Sequence, residues 1–382
     1  LHRLIRRQRQ MCIRDRPYIV HLLEDERVDS VVVCAGEAIN RARKNMGWDT
    51  TSYPGLENCD VYLNPTSQTV EHLMQVRTED SYHLFSGIRG FAFVFDAFLR
   101  SLAYPIKRGM ITERPNTYAY GQANGKPLWL HRLRWKLQDR KFTPKVNCVF
   151  AMGSDAADFF KSVSAKWNVF PFAYCVQNLS VQEQDKRSDS HDATIKVVFV
   201  GSLSVRKSVD TLIEAARLCR QQSLKHAIEF YIIGDGNEKM KLQGLATRYG
   251  LDNVLFLGSK KQSMVSGLLC QYDVLVLPSI YDGWGAVVNE GLQAGLYTIC
   301  SDTCGAKDLL TDIRCGTVFQ HMNSKELAEI ILKLSAEPHR IKEFRGWRKE
   351  WAEKCISGNT ISKYMVDCLF GNKEITEPWK KQ

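Results

Sequence analysis

From about residue 195 onward, short β-branched segments alternate with longer amphipathic segments, and this pattern constrains the fold more than any other feature of the sequence. Each amphipathic segment is a predicted helix that returns the chain to the same end of the sheet, so successive strands pair in parallel. The C-terminal half is therefore predicted to be a doubly wound α/β domain. Its strands are predicted at residues 195–201, 228–234, 253–258 and 273–278.

The N-terminal half shows a weaker version of the same pattern, which favours a second α/β sheet. Its strands are predicted at residues 28–36, 60–65, 82–87, 107–113 and 146–153. Residues 181–194 are polar and lack aromatic residues, as expected of a linker. We therefore expect one domain at 17–180 and another at 195–382, with only helices from Ser335 to Phe370.

Residues 1–16, LHRLIRRQRQMCIRDR, have no apolar periodicity and hold six arginines against one aspartate. They supply +5 of the formal charge of +10. We expect a non-native or disordered tail that lies outside the fold, in which case the native first strand would be missing. A basic arm for RNA or phospholipid is the alternative. The remaining chain is only mildly basic, and this argues against a nucleic-acid partner.

The twelve cysteines are scattered, with no CxxC pair, and the closest two are Cys300 and Cys304. Such cysteines are typical of reduced thiols in a cytoplasmic protein. The longest apolar segment, residues 91–106, carries Asp96 and Arg100, which favours a core helix over a membrane span. Peripheral contact with the inner face of the membrane stays open.

Ligands of parallel sheets bind beyond the carboxyl ends of the strands, so the loops there are the candidate site. The first, 201–208, offers small residues for close approach and two cations for phosphate groups. A solvated surface and a capped strand-to-helix turn are the alternative interpretations of these loops. The candidate donor-binding residues of the first three loops are Gly201, Ser202, Arg206, Lys207, Gly234, Gly236 and Gly258.

The loop at 278–295, PSIYDGWGAVVNEGLQAG, combines two acids with a predicted helix start near Gly285. The amides of Gly285, Ala286 and Val287 would favour a diphosphate. Glu290 would lie about 7.5 Å further along the helix axis. Asp282 and Glu290 could then accept hydrogen bonds from sugar hydroxyl groups at opposite ends of one ligand. Two solvent-facing acids near a helix start are the alternative.

Three segments resemble, in order and spacing, the nucleotide-binding domain of glycosyltransferase family 4. They are FVGSLSVRKSVDTLIEAARL, FYIIGDGNEKMKLQGLATRYGLDNVLFLGSK and YDVLVLPSIYDGWGAVVNEGLQAGLYTICSDTCGAKDLL. The resemblance implies a GT-B fold, in which two Rossmann-like doubly wound domains face each other across a cleft, here with C-terminal helices. It also implies a retaining mechanism with no metal and no cofactor besides the donor, and the sequence contains no DxD triplet.

The resemblance assigns the candidate catalytic residues. Arg206 and Lys207 would bind the diphosphate and Glu290 the ribose. Asp282 stands where the family has a glutamate that contacts the donor hexose, so the hexose preference is expected to differ.

On the N-terminal side, loops at 85–90 and 112–116 are placed to line an acceptor site. Gly87, Arg89, Glu113 and Arg114 are the candidates, and an ion-paired loop is the alternative. His83 and His131 lack a partner pattern and are expected to be structural.

We therefore predict a transferase that moves a hexose from a nucleotide-diphosphate sugar to a saccharide or a lipid-linked acceptor. An epimerase or phosphorylase of the same fold and a non-catalytic sugar-nucleotide binder are the alternatives. A nicotinamide dehydrogenase is disfavoured, because no GxGxxG follows a predicted strand.

Overall fold

The computed structural model describes residues 2–8, 17–35, 56, 58–75, 81–89, 92–116, 127–177, 194–222, 226–371 and 375–380. These residues form two compact units. The first unit takes in the described residues of 1–117, 125–177 and 355–381, and the second those of 178–354. Most of the predicted linker, residues 181–193, lies outside the described residues.

The first unit contains a sheet of seven parallel strands in the order β3-β2-β1-β4-β5-β6-β7. Strands β2 to β6 confirm the predicted ones. β7 was not predicted, and its Pro171 is tolerated because β7 lies at the sheet edge. The strands are β1 His2–Gln8, β2 Val28–Ala35, β3 Asp60–Leu63, β4 Ser81–Phe85, β5 Lys107–Thr112, β6 Cys148–Met152 and β7 Asn168–Phe172.

Strand β1 differs from the prediction that residues 1–16 lie outside the fold. It pairs in parallel with β2 on one side and β4 on the other, with Ile5 opposite both Val32 and His83. A central parallel strand is normally apolar, so a segment with this many arginines lacks the hydrophobic pattern that predicts such a strand. Backbone pairing needs no particular side chain, which is why so basic a segment can take this position.

The helices of the first unit cover its sheet and enclose an aromatic core that includes Phe85, Phe98, Phe142 and Phe160. The predicted core helix at 91–106 is confirmed as α2, which buries one face. The helices are α1 Ser67–Gln75, α2 Ala92–Ser101, α3 Leu128–Leu137 and α4 Ser154–Val163, with 3-10 helices at Pro17–Glu24, Thr143–Lys145 and Pro378–Lys380. None of the helices in the described part of the chain has the length and apolar character needed to cross a bilayer.

The second unit contains six parallel strands in the order β10-β9-β8-β11-β12-β13. Its four predicted strands are confirmed, while the short, buried β12 and the short β13 were not predicted. The strands are β8 Ile195–Val200, β9 Ile228–Ile233, β10 Val254–Gly258, β11 Val274–Leu277, β12 Tyr297–Ser301 and β13 Gly316–Phe319. The helices are α5 Val209–Arg220, α6 Lys239–Arg248, α7 Gln262–Leu269, α8 Val287–Gln293, α9 Ser324–Ala336, α10 Pro338–Glu343 and α11 Arg345–Ile356, with 3-10 helices at Val205–Lys207 and Gly305–Leu309.

The last helix, α12 Gly358–Phe370, belongs to the first unit, although the sequence placed it in the C-terminal domain. Its carboxyl end accepts a hydrogen bond from the Tyr82 hydroxyl at the Leu369 carbonyl, 3.0 Å away. Tyr364 donates to the Pro171 carbonyl at 2.8 Å, and Arg27 binds Asp367 at 2.7 Å. These contacts join α12 to residues of the first unit. The predicted C-terminal domain, which included α12, therefore extends too far along the chain.

Candidate functional site

The loop after β8 carries the two candidate phosphate-binding cations. It forms a 3-10 turn over Val205–Lys207, and Ser208 then adopts a left-handed conformation (φ 47°) before α5 begins at Val209. The Ile280 amide donates to the Arg206 carbonyl at 2.9 Å. The basic loop is therefore tied through its backbone to the segment that follows β11.

Asp282 lies against both cations. Its Oδ2 atom is 2.5 Å from Lys207 Nζ and 3.3 Å from Arg206 Nη1. The Asp282 and Lys207 side chains are only 14% and 12% exposed. The Arg206 guanidinium also donates to the Tyr281 carbonyl at 2.8 Å. The structure therefore brings three of the four candidate catalytic residues together at the carboxyl edge of the sheet.

The charge state of Asp282 follows from its neighbours. Burial by itself raises the pKa of this carboxyl group, while the adjacent charges of Lys207 and Arg206 lower it and outweigh burial. The net result is a pKa below the ordinary value. Asp282 is therefore ionised at neutral pH, and the cluster of two cations and one anion carries a net positive charge.

Gly285 is held in a conformation that a side chain would disturb. Its φ is +97°, and an added Cβ would lie 2.6 Å from Cys304 Sγ and 2.7 Å from Leu277 Cδ2. The Cys304 thiol donates to the Trp284 carbonyl at 2.8 Å, and the Trp284 indole N–H donates to Asn289 Oδ1 at 2.7 Å. These contacts fix the loop that presents Asp282.

Helix α8 begins at Val287, two residues after Gly285, close to the predicted start. Glu290 lies in its first turn, half-buried, and its amide donates to the Ala286 carbonyl at 3.2 Å. The predicted roles of Ala286, Val287 and Glu290 toward a donor stay predictions.

The glycines of the first two loops have a structural explanation. An added Cβ at Gly234 would lie 1.8 Å from the Gly201 carbonyl oxygen, and one at Gly236 would lie 2.2 Å from the Leu203 carbonyl oxygen. Backbone hydrogen bonds from Gly201 to Ile233 (3.0 Å) and from Leu203 to Asp235 (2.9 Å) join the same loops. The two loops therefore need glycine to approach each other, whether or not a ligand is bound.

The remaining candidates of these loops show no such constraint. Gly258 has a φ of +67°, yet an added Cβ would meet nothing within 4 Å. The Ser202 hydroxyl lies 3.4 Å from that of Ser204. Donor binding by Gly258 and Ser202 stays a prediction.

Two of the acceptor-side candidates form ion pairs. Arg89 Nε binds the buried Asp139 at 2.6 Å and the guanidinium lies over the Phe95 and Phe142 rings. Arg114 Nη1 lies 3.1 Å from Asp155 Oδ2. The alternative interpretation, an ion-paired loop, thus describes the geometry of both arginines. Their role in acceptor binding stays a prediction.

The other acceptor-side candidates occupy ordinary loop positions. Gly87 has a φ of +64° and donates to the Ile111 carbonyl at 3.1 Å, and the Glu113 carbonyl accepts from Thr112 Oγ1 at 3.3 Å. His83 is fully buried beside Ser81, as expected of a structural histidine.

Sequence reasoning missed one polar group in the site. The fully buried Ser279 places its hydroxyl 3.3 Å from Asp282 Oδ2, the oxygen that also contacts the cations. The sequence could have indicated Ser279, because it directly follows the predicted strand at 273–278, where ligand-facing groups of parallel sheets occur.

Comparison with known proteins identifies a family that part of this chain resembles. Residues 180–351, which contain the whole Arg206, Lys207 and Asp282 cluster, match the family model of the glycosyl transferases group 1. This part of the chain is therefore similar to the glycosyl transferases group 1 domain. The prediction of a glycosyltransferase domain is confirmed, and membership of family 4 itself stays a prediction.

Curated relatives match within this domain. The lipopolysaccharide glucosyltransferase WaaG of Escherichia coli is 33% identical over 145 residues, which are 37% of this chain and 38% of WaaG. An uncharacterized glycosyltransferase of Methanocaldococcus jannaschii, MJ1178, is 28% identical over 166 residues, 42% of this chain and 45% of that protein. The matched region of the chain thus spans less than half the length of each of these relatives.

Solved structures match over almost the whole chain. Anabaena Alr3699/HepE in complex with UDP superposes with a TM-score of 0.70 at 16% identity, over 97% of this chain and 99% of that one. The structure of WaaG superposes with a TM-score of 0.59 at 16% identity, over 97% and 100%. At this identity the likeness concerns the fold alone, and it confirms the predicted GT-B fold.

Proposed function

We propose that the chain is a retaining glycosyltransferase that moves a hexose from a nucleotide-diphosphate sugar to a saccharide or lipid-linked acceptor. The observation that carries the proposal is the meeting of Arg206 and Lys207 with Asp282 at the carboxyl edge of the domain that resembles group 1. Two cations that share one carboxylate leave a net positive charge, which suits a diphosphate.

The cations would act on the leaving group. As the glycosidic bond of the donor breaks, negative charge accumulates on the departing diphosphate. Lys207 is largely buried and held at 2.5 Å from Asp282, so it is in place before the reaction begins. Fixed donors of this kind stabilise charge in the transition state without reorganising. The chemistry then requires no metal ion and no cofactor besides the donor, which is part of the proposal.

The carboxylates would orient the donor. Glu290 would accept hydrogen bonds from the ribose hydroxyl groups, and Asp282 would contact the hexose. The shorter Asp282 side chain, already engaged with Lys207, supports a hexose preference of its own. The relatives name two kinds of donor nucleotide: HepE was crystallised with UDP, and a mannosyltransferase of Mycobacterium tuberculosis is GDP-mannose-dependent. Both nucleotides therefore belong in a first screen.

The proposal also includes the site of action. A lipid-linked acceptor would place the enzyme in the cytoplasm, at the inner face of the membrane. The proposed partners are the sugar donor and this acceptor, and they do not include a nucleic acid.

A nucleotide-sugar screen by thermal shift tests the proposal. A donor present at about 100 times its Kd should stabilise the protein by about 2.7 kcal/mol. Lys207→Ala should abolish this shift, whereas Lys354→Ala, which removes a solvent-exposed lysine, should retain it. Anomeric proton NMR of the product should show retention. Stabilisation by no nucleotide sugar, or an equal shift in both variants, would contradict the proposed donor site.

Chelation tests the absence of a metal requirement. Turnover should persist in EDTA, because the leaving-group charge is assigned to side chains. Loss of turnover that manganese restores would show that a metal ion takes part instead.

A further inference from the structure

Helix α3 exposes a continuous apolar stripe. Trp129, Leu133 and Leu137 are 61%, 43% and 69% exposed, and none of the ten residues of the helix is buried. Their spacing of four residues places them along one side of the helix. Three of the eleven exposed large hydrophobic side chains among the described residues therefore lie on this single helix.

The opposite side of α3 is attached to the core of the first unit. The Trp135 ring packs edge-on against the rings of Phe160 and Trp167, with centroid distances of 6.2 and 5.3 Å. Leu128 packs against the same core. The helix is thus held with its apolar stripe directed outward.

The surroundings of the stripe are strongly basic. Residues 128–145 contain one acid, Asp139, which is buried and bound to Arg89. The same residues contain six basic side chains, Arg132, Arg134, Lys136, Arg140, Lys141 and Lys145, of which all but Arg132 are exposed. Every exposed charged side chain within residues 128–145 is therefore basic.

We propose that α3 docks on the surface of a membrane that contains anionic lipids. The apolar side chains enter the interfacial layer, where tryptophan is favoured, while the basic side chains bind the headgroups. A helix of ten residues is about 15 Å long, half the thickness of the hydrocarbon core, so it lies along the membrane surface. The positive charge disfavours a second copy of the chain as the occupant, because like charges would face each other.

Co-sedimentation of the full chain with vesicles tests the proposal. The protein should bind vesicles of phosphatidylcholine mixed with phosphatidylglycerol and should bind phosphatidylcholine alone much more weakly. The triple variant Trp129→Ser, Leu133→Ser, Leu137→Ser should reduce partitioning at least about tenfold. The matched triple variant Met240→Ser, Met264→Ser, Ile313→Ser removes exposed apolar side chains from the second unit and should bind as the original chain does.

Charge reversal and fluorescence provide independent measurements. Arg134→Glu and Lys136→Glu should each weaken binding to anionic vesicles at least about fivefold, an effect that salt diminishes. Brominated lipids should quench tryptophan fluorescence in the original chain, and Trp129→Phe should lose most of that quenching. All these proteins share residues 1–16, so the basic leading segment cannot produce the differences. Circular dichroism establishes that each variant is folded.

Three outcomes would overturn the proposal. The first is equal binding to neutral and anionic vesicles. The second is unchanged binding by the folded α3 triple variant. The third is self-association, measured by light scattering, that the α3 triple variant abolishes, since it would identify a second copy of the chain as the occupant.

Discussion

Replacing Asp282 by asparagine should change stability and nucleotide affinity in opposite directions. The substitution keeps the shape of the side chain and removes its charge. Lys207, which is 12% exposed, then loses an anionic partner at 2.5 Å, and Arg206 loses one at 3.3 Å. Removing a charged partner from a mostly buried group costs about 1–3 kcal/mol. For a domain of this size the melting temperature should therefore fall by roughly 2–12 °C.

Nucleotide affinity should rise for the same reason. In the original protein a diphosphate must compete with Asp282 for Lys207, and in Asp282→Asn that competition is much weaker. A gain of about 1.4 kcal/mol would tighten the binding of UDP or GDP about tenfold. Isothermal titration with the free nucleotide measures this affinity without any contribution from the hexose, which Asp282 is proposed to contact.

The stability difference should depend on pH. The folded-state pKa of Asp282 is lowered, so its contribution to stability is present above the ordinary pKa of 3.8 and is lost as the pH falls through the lowered folded-state value. The melting temperatures of the original protein and Asp282→Asn should accordingly differ most near neutral pH and converge in strong acid.

Asp312→Asn is the matched control. Asp312 is 15% exposed and lies 2.5 Å from Arg314 Nη2, an ion pair of the second unit outside the donor loops. Its loss should lower the melting temperature without changing nucleotide affinity. The reasoning is refuted if Asp282→Asn binds nucleotide more weakly, or if Asp312→Asn shows the same increase in affinity.

Three further substitutions test other parts of the structure. Glu290→Ala should lower kcat/KM at least about 100-fold with an unchanged melting temperature, because it removes two charge-assisted hydrogen bonds that orient the donor. Near-normal turnover would show that Glu290 does not bind the ribose. Gly285→Ala should lower the free energy of unfolding by about 1–3 kcal/mol, measured by thermal unfolding, because its φ is +97° and Cys304 crowds the position. Gly244→Ala, in open space on α6, should not destabilise the protein. Ile5→Pro should lower the melting temperature because proline cannot donate to the strand ladder of β1; an unchanged value would restore the interpretation of residues 1–16 as a tail.

Local sequence patterns were sufficient to predict most of the elements and the sheet edge at which Lys207 and Asp282 meet. Strands such as β8 and β9 are runs of β-branched and aromatic residues, and the amphipathic segments between them have helical periodicity, so each element type is encoded within a few residues. Because the strands are parallel, their following loops meet at one edge, and this rule led to the loops that carry Lys207 and Asp282.

Only the tertiary structure shows which side chains of those loops contact each other. Lys207 and Asp282 are 75 residues apart, and no local pattern states that one carboxylate contacts both cations. Gly234 was a ligand candidate in the sequence, but the structure places it against the Gly201 carbonyl, where glycine is needed for backbone packing.

Long-range pairing also decided the limits of the units. The sequence alone predicted that residues 335–370, which include α12, form only helices, because helical periodicity is local. Only the folded chain determined that this helix packs with the N-terminal sheet, through Tyr82 and Arg27, since those contacts span almost the whole sequence. The same holds for β1, whose basic side chains gave no strand pattern: its place between β2 and β4 arises from backbone hydrogen bonding, which side-chain periodicity does not report.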